Sequence, residues 1–189
     1  EGEIDIDDVD GLAMDDEDGL LWGVHRRESD PNLHDLLVKI HPVTGLVMEH
    51  TFGPDIDYIA ITGSLVDIDD LAYNPVTDEL FGVSTVSSGS NLDNIVKIDT
   101  ETGAATVVAI LPTCDIEGMT FNNAGELFAV TGDGCDSWQR NKLLTVDIPT
   151  QMATIVGEFT PTGWDTEACA CFVQAPPPPP SSLEEGWQF

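Results

Sequence analysis

The chain has 189 residues, of which 35 are acidic and only 6 are Lys or Arg, for a formal net charge of −29. Its length fits one domain with apolar content enough for a core. The basic residues (Arg26, Arg27, Lys39, Lys97, Arg140, Lys142) are too scattered to track phosphates, which excludes a nucleic-acid partner. The same charge would repel acidic membranes, and no apolar run approaches a bilayer span.

In chain order, the first predicted strand opens with Asp8-Val9-Asp10-Gly11-Leu12-Ala13-Met14. Its run of acids, Asp15 to Asp18, ends at Gly19, but an EF-hand frame ending there puts Met14 at the first ligand position, so a strand-joining turn is expected. Leu21-Trp22-Gly23-Val24 is the second strand and Leu37-Val38-Lys39-Ile40 the third. A turn at Pro42-Val43-Thr44-Gly45 then leads into Leu46-Val47-Met48. All four histidines (His25, His34, His41, His50) fall in this unit, match no zinc spacing, and are expected on the surface.

The same phrases then return. Asp67-Ile68-Asp69-Asp70-Leu71-Ala72-Tyr73 and Asp115-Ile116-Glu117-Gly118-Met119-Thr120-Phe121 restate the opening. Leu80-Phe81-Gly82-Val83 and Leu127-Phe128-Ala129-Val130 restate the second strand. A period of roughly 50 residues made of short Val/Ile/Thr-rich strands, with no sustained helical period, indicates an all-β propeller-like array of four-stranded antiparallel blades. The units run over about 8–66, 67–114 and 115–164. A fourth opening, 165–172, is followed by proline instead of the rest of a unit. Residues 1–173 thus form the repeat domain and 174–189 a Pro-rich arm. Pro176 to Pro180 should be extended and stiff. Leu183, Trp187 and Phe189 beyond it would gain by docking on a neighbouring subunit, unless the segment is a linker to another domain or an anchor.

This wording resembles secreted bacterial β-propeller repeats of the lactonase-like and NHL-like kind, whose units read acidic residue, Gly-Leu-Ala-aromatic, Leu-aromatic-Gly-Val, Ile-Asp-x-x-Thr-Gly. The resemblance covers about residues 8–172 and implies a fold more than a function. The Gly-His and Trp-Asp marks of WD40 repeats are absent. In lactonase-like propellers, acids near the axis hold a divalent cation that polarises an ester. Carried over, this nominates Asp10, Asp69, Glu117 and Glu167 as calcium ligands, of a donor type that suits calcium. The alternative is that these acids are repeated turn chemistry, accepting backbone N–H groups.

Cys114, Cys135, Cys169 and Cys171 are an even set, compatible with two disulfides in an oxidising compartment and with any of three pairings. Cys169 and Cys171 share a strand face, so each could tie the last strand to the third blade. A zinc site is disfavoured by the spacing, and without Cys-x-x-Cys-His no covalent haem is expected, nor any nucleotide. No Gly-x-Ser-x-Gly surrounds a serine, so a catalytic triad has no support. A start at Glu1 rather than Met fits a processed, exported protein.

Three units and a spare strand leave edges that invite another chain. A two-fold partner would close six blades, and a non-closing rotation would give a filament. The expected function is therefore a secreted, non-catalytic structural protein of the extracellular space or cell surface. It would self-assemble through Cys169, Cys171, Phe172 and the arm residues. The alternatives are a calcium-dependent lactonase-like hydrolase and a ligand-binding part of a longer propeller.

Overall fold

The computed structural model describes residues 8–15, 17–26, 34–63, 67–85, 92–134, 139–159, 166 and 168–171. Among them are twelve strands and no helix: β1 Val9–Met14, β2 Leu21–His25, β3 Leu36–Ile40, β4 Tyr58–Ala60, β5 Asp70–Asn74, β6 Glu79–Thr85, β7 Asp93–Ile98, β8 Ala105–Leu111, β9 Ile116–Phe121, β10 Leu127–Thr131, β11 Lys142–Asp147 and β12 Met152–Glu158. They form three four-stranded antiparallel sheets in plain sequence order, β1-β2-β3-β4, β5-β6-β7-β8 and β9-β10-β11-β12. Each restated opening phrase starts a new sheet, and successive first strands pack on one another, β1 on β5 and β5 on β9. This is the arrangement of propeller blades around an axis, with β1, β5 and β9 innermost.

The packing explains the repeated residues. Alternate residues of a strand point to opposite faces of its sheet. One core lies between the first two blades, where Ala13, Trp22, Val24 and Leu37 meet Ile68, Leu71, Leu80, Val96 and Ile98. The other lies between the second and third, where Ala72, Phe81, Val83 and Ile95 meet Met119, Phe121, Leu127 and Leu144. A blade flanked on both faces needs apolar residues on both. Hence β7 of the middle blade buries Ile95 in one core and Val96 and Ile98 in the other. The small residue of the second-strand phrase is a matter of space: a Cβ on Gly82 would stand 3.0 Å from Ile68 and 3.2 Å from Val96.

The turn after the third strand is built alike in each blade, although in the first it leads to Val47, which makes only an isolated bridge with Ile40, and the fourth strand comes later, at Tyr58–Ala60 instead of Leu46-Val47-Met48. Asp99 accepts the N–H groups of Glu101 and Thr102, Asp147 accepts that of Thr150, and His41 stands in for the acid, accepting from Val43 and Thr44. The turn closes in the left-handed region at Gly45, Gly103 and Gln151. Many of the acids are therefore turn builders.

The Asp15–Asp18 run has another use. Lys39, on β3, is 5% exposed. Its Nζ lies 2.6 Å from Asp15, 2.5 Å from Asp18 and 3.8 Å above the Trp22 ring. The indole N–H of Trp22 donates to Asp15 as well. Burial alone would raise the Asp15 carboxyl, but Lys39 and the N–H of Glu17 hold it below its ordinary range. The cation of this acidic turn is thus a lysine ammonium. The expectation of surface histidines also needs correcting: His25 is buried, its Nδ1 2.8 Å from the Asp8 carbonyl, because it ends a strand whose other residues face the cores.

Candidate functional site

The inner strands present one edge to the axis, and N–H groups on such an edge lack ladder partners. Here a single carboxylate serves three blades. Asp70, the first residue of β5, accepts the N–H of Met119 on β9 at 2.7 Å, and also the N–H groups of its own neighbour Leu71 and of Leu12 on β1. Burial pushes its carboxyl up to about 7, with the N–H donors opposing and nearby Asp69 adding to the rise. At the matching position of the flanking blades stand Gly11 and Gly118. A Cβ on Gly11 would lie 2.7 Å from the Asp70 Cα, so β1 and β5 touch backbone to backbone there.

The fourth opening phrase continues this pattern. A Cβ on Gly118 would lie 2.6 Å from the Ala168 Cα and 2.8 Å from the Cys169 N, the same atoms that Gly11 meets on Asp70 and Leu71. Residues 168–171 therefore sit on the third blade as β5 sits on the first. They also bond to it: the Cys171 N–H reaches Thr120 Oγ1 at 3.4 Å. Between these segments lies an axial cavity of about 290 Å³ lined by Leu12, Met14, Leu71, Tyr73, Cys169 and Cys171 among others.

Cys169 and Cys171 are both free thiols, so the expected disulfide tie of the last strand is not made. Backbone contact at Gly118 holds it instead. Burial, and after it the neighbouring Asp70 and Cys171, push the Cys169 thiol up to about 12, leaving it a poor nucleophile near neutral pH.

Three of the four acids nominated for calcium, Asp10, Asp69 and Glu117, are among the described residues. Asp10 and Asp69 are brought together, but on a guanidinium: Arg26 Nε is 2.7 Å from Asp10, and its terminal nitrogen is 3.0 Å from Asp69 and 3.1 Å from Asp67. Glu117 is half-buried on β9, and Glu167 lies outside the described residues, as do Cys135, Phe172, Leu183, Trp187 and Phe189. Arg26 is a fork with five donors, and it satisfies the carboxylates of Asp10 and Asp69 that face it. Among the described residues no three His, Cys, Asp or Glu side chains are grouped to hold a metal.

Arg26 leaves the end of β2 and bridges the first two blades. Arg26→Ala is expected to lower stability by about 1–2 kcal/mol, since it leaves three facing carboxylates on a partly exposed surface. Urea midpoints at low and high salt would check this. The loss should shrink in high salt, and Arg26→Lys should restore little of it, because an ammonium cannot fork among three acids.

No family model matches the chain. No curated protein matches it either. Among solved structures it is similar to a gluconolactonase of Xanthomonas campestris, at TM-score 0.49 and 19% identity, covering 86% of this chain and 50% of that one. It is also similar to a Bacteroides thetaiotaomicron protein of unknown function, at 0.47 and 19%, covering 78% and 35%. A third is the β-propeller domain of the Trilobed protease from Pyrococcus furiosus, which has an open velcro topology, at 0.41 and 11%, covering 80% and 42%. The chain spans half or less of the length of each of these structures. These likenesses concern fold alone, and the propeller architecture rests on the three sheets and their shared axis.

Proposed function

We propose that the chain is a secreted, non-catalytic structural module that works by joining further propeller blades, in an extracellular or cell-surface assembly. The observation that carries this reading is the seat of residues 168–171. They begin a fourth blade on the third by the same backbone contact that joins the first two, so the surface for adding blades is already built. The strongly acidic surface would oppose association at low ionic strength, and bound calcium or salt would relieve it. An oxidising compartment completes the reading, with a bridge from Cys114 to Cys135. Cys114 is buried, and Cys135 is the partner that this reading gives it.

Light scattering on the full chain would test it, first in calcium and then in chelator at low salt. Species larger than one chain are expected in calcium, shrinking in chelator. A mass of one chain under every condition would sink the reading.

A second reading, a calcium-dependent lactonase-type hydrolase, is favoured by the axial cavity, which Leu71 lines next in sequence to Asp70, whose carboxyl burial pushes up to about 7. Turnover of a simple aliphatic lactone, abolished by Asp70→Asn, would establish it.

A further inference from the structure

We infer that the free face of β1 is a docking surface for residues 168–171 of a second copy of this chain, so that two copies close one ring. This rests on the assembling reading above and names its partner and its contact.

The argument starts from positions that the repeat makes equivalent. Leu12, Leu71 and Met119 occupy the same place in the three inner strands, each pointing toward the preceding blade. Leu71 is 1% exposed and Met119 2%, whereas Leu12 is 50% exposed. One place later but one, Phe121 is buried and Met14 is 45% exposed. Leu71 is covered by Gly11 and Ala13 of the blade before it, and Met119 by Asp70 and Ala72. Leu12 and Met14 lack that cover. Ala168 and Ala170 carry the same small residues at the same places of the fourth opening phrase, on the face turned away from the third blade.

Two further details fit this occupant. The uncovered part of the first blade is confined to its inner strand, since Leu36, Val38 and Ile40 on β3 are buried already. A single segment such as 168–171 is wide enough to cover that and no more. The closest-approach position also alternates, Gly11, Asp70, Gly118, Ala168. The joins Gly11 to Asp70 and Gly118 to Ala168 are backbone contacts that only glycine allows, and between them Asp70 reaches the peptide N–H that follows Gly118. Ala168 against Gly11 of a second copy would keep a glycine at every join. Two copies present eight inner strands, within the range of roughly four to eight that closed propellers use. A two-fold axis along the channel makes both new joins identical.

Sedimentation equilibrium of the full chain at moderate salt is the test. A species of two copies is expected, and Met14→Glu and Ala170→Arg should each weaken it at least tenfold. Combining the two should restore much of the association, because the new charges would face each other across the join. Leu46→Glu, on an exposed turn away from the axis, should leave it unchanged. Far-ultraviolet circular dichroism would confirm that each variant folds, and the double variant guards against a single one that does not. A two-copy species indifferent to all three axial variants would overturn this contact while leaving the assembling reading in place. Species growing past two copies would overturn the closed ring. A wild-type monomer at every concentration would overturn both readings together.

Discussion

Gly11→Val is expected to cost about 3 kcal/mol, enough to part the first two blades. The reason is that its new Cβ would meet backbone, the Asp70 Cα at 2.7 Å and the Leu71 N at 2.7 Å, and neither can rotate away as a side-chain tip could. Relief requires β1 to move off β5, which opens the core around Ala13, Trp22 and Leu71. Gly118→Val should act by the same geometry on residues 168–171, freeing them while the three sheets persist. Gly157→Ala is the control: nothing lies within 4 Å of its added methyl, and its effect should stay within about 0.5 kcal/mol. Urea midpoints of the three variants decide the matter. A Gly11→Val midpoint matching that of Gly157→Ala would show that the blades do not approach as closely as described.

The second large effect is a pH dependence centred on Asp70. Its carboxyl has an ordinary value of 3.8 and stands at about 7 in the fold. Between those values the folded chain keeps a proton that the unfolded chain has released, so the stabilisation present below pH 4 is lost as pH rises to 7. Outside that window the group contributes no slope. The full span is worth roughly 4 kcal/mol. Repulsion among the many acids also weakens the fold as pH rises, so the test is a difference. Asp70→Asn keeps an acceptor for the inner-strand N–H groups without the buried charge. It should show a shallower loss of stability between pH 4 and 7 than wild type, and should be the more stable protein at pH 8. Parallel slopes for the two proteins would mean that Asp70 is ionised throughout.

The blades were legible in the sequence because a repeat states its own register. The three phrases that open complete units each started a sheet, and Thr44, Thr102 and Thr150 marked the same turn three residues after His41, Asp99 and Asp147. The site was less legible for a definable reason. The repeat gave Asp10 and Asp69 matching positions in successive blades, but nothing local says that Arg26, 16 or more residues away, would fill the space between them. Arg26 is one of only six basic residues, so each merited a search for its acids. Asp70 was visible too, as the one place where a complete unit replaces the glycine of Gly11 and Gly118 with a charge. The cysteines misled because sharing a strand face fixes direction and not distance. Cys169 and Cys171 both stay free thiols.

The position of the cores has a consequence for cooperativity. Apolar clusters lie between sheets and none within a sheet, so a row of three blades has two of them and the middle blade belongs to both. No blade can unfold alone without exposing a neighbour's half of a shared cluster. In a row the number of such clusters trails the number of blades by one, while in a ring the two are equal. Closure by a second copy would therefore add a whole stabilising junction without adding a residue, and would make stability depend on protein concentration as well as on sequence.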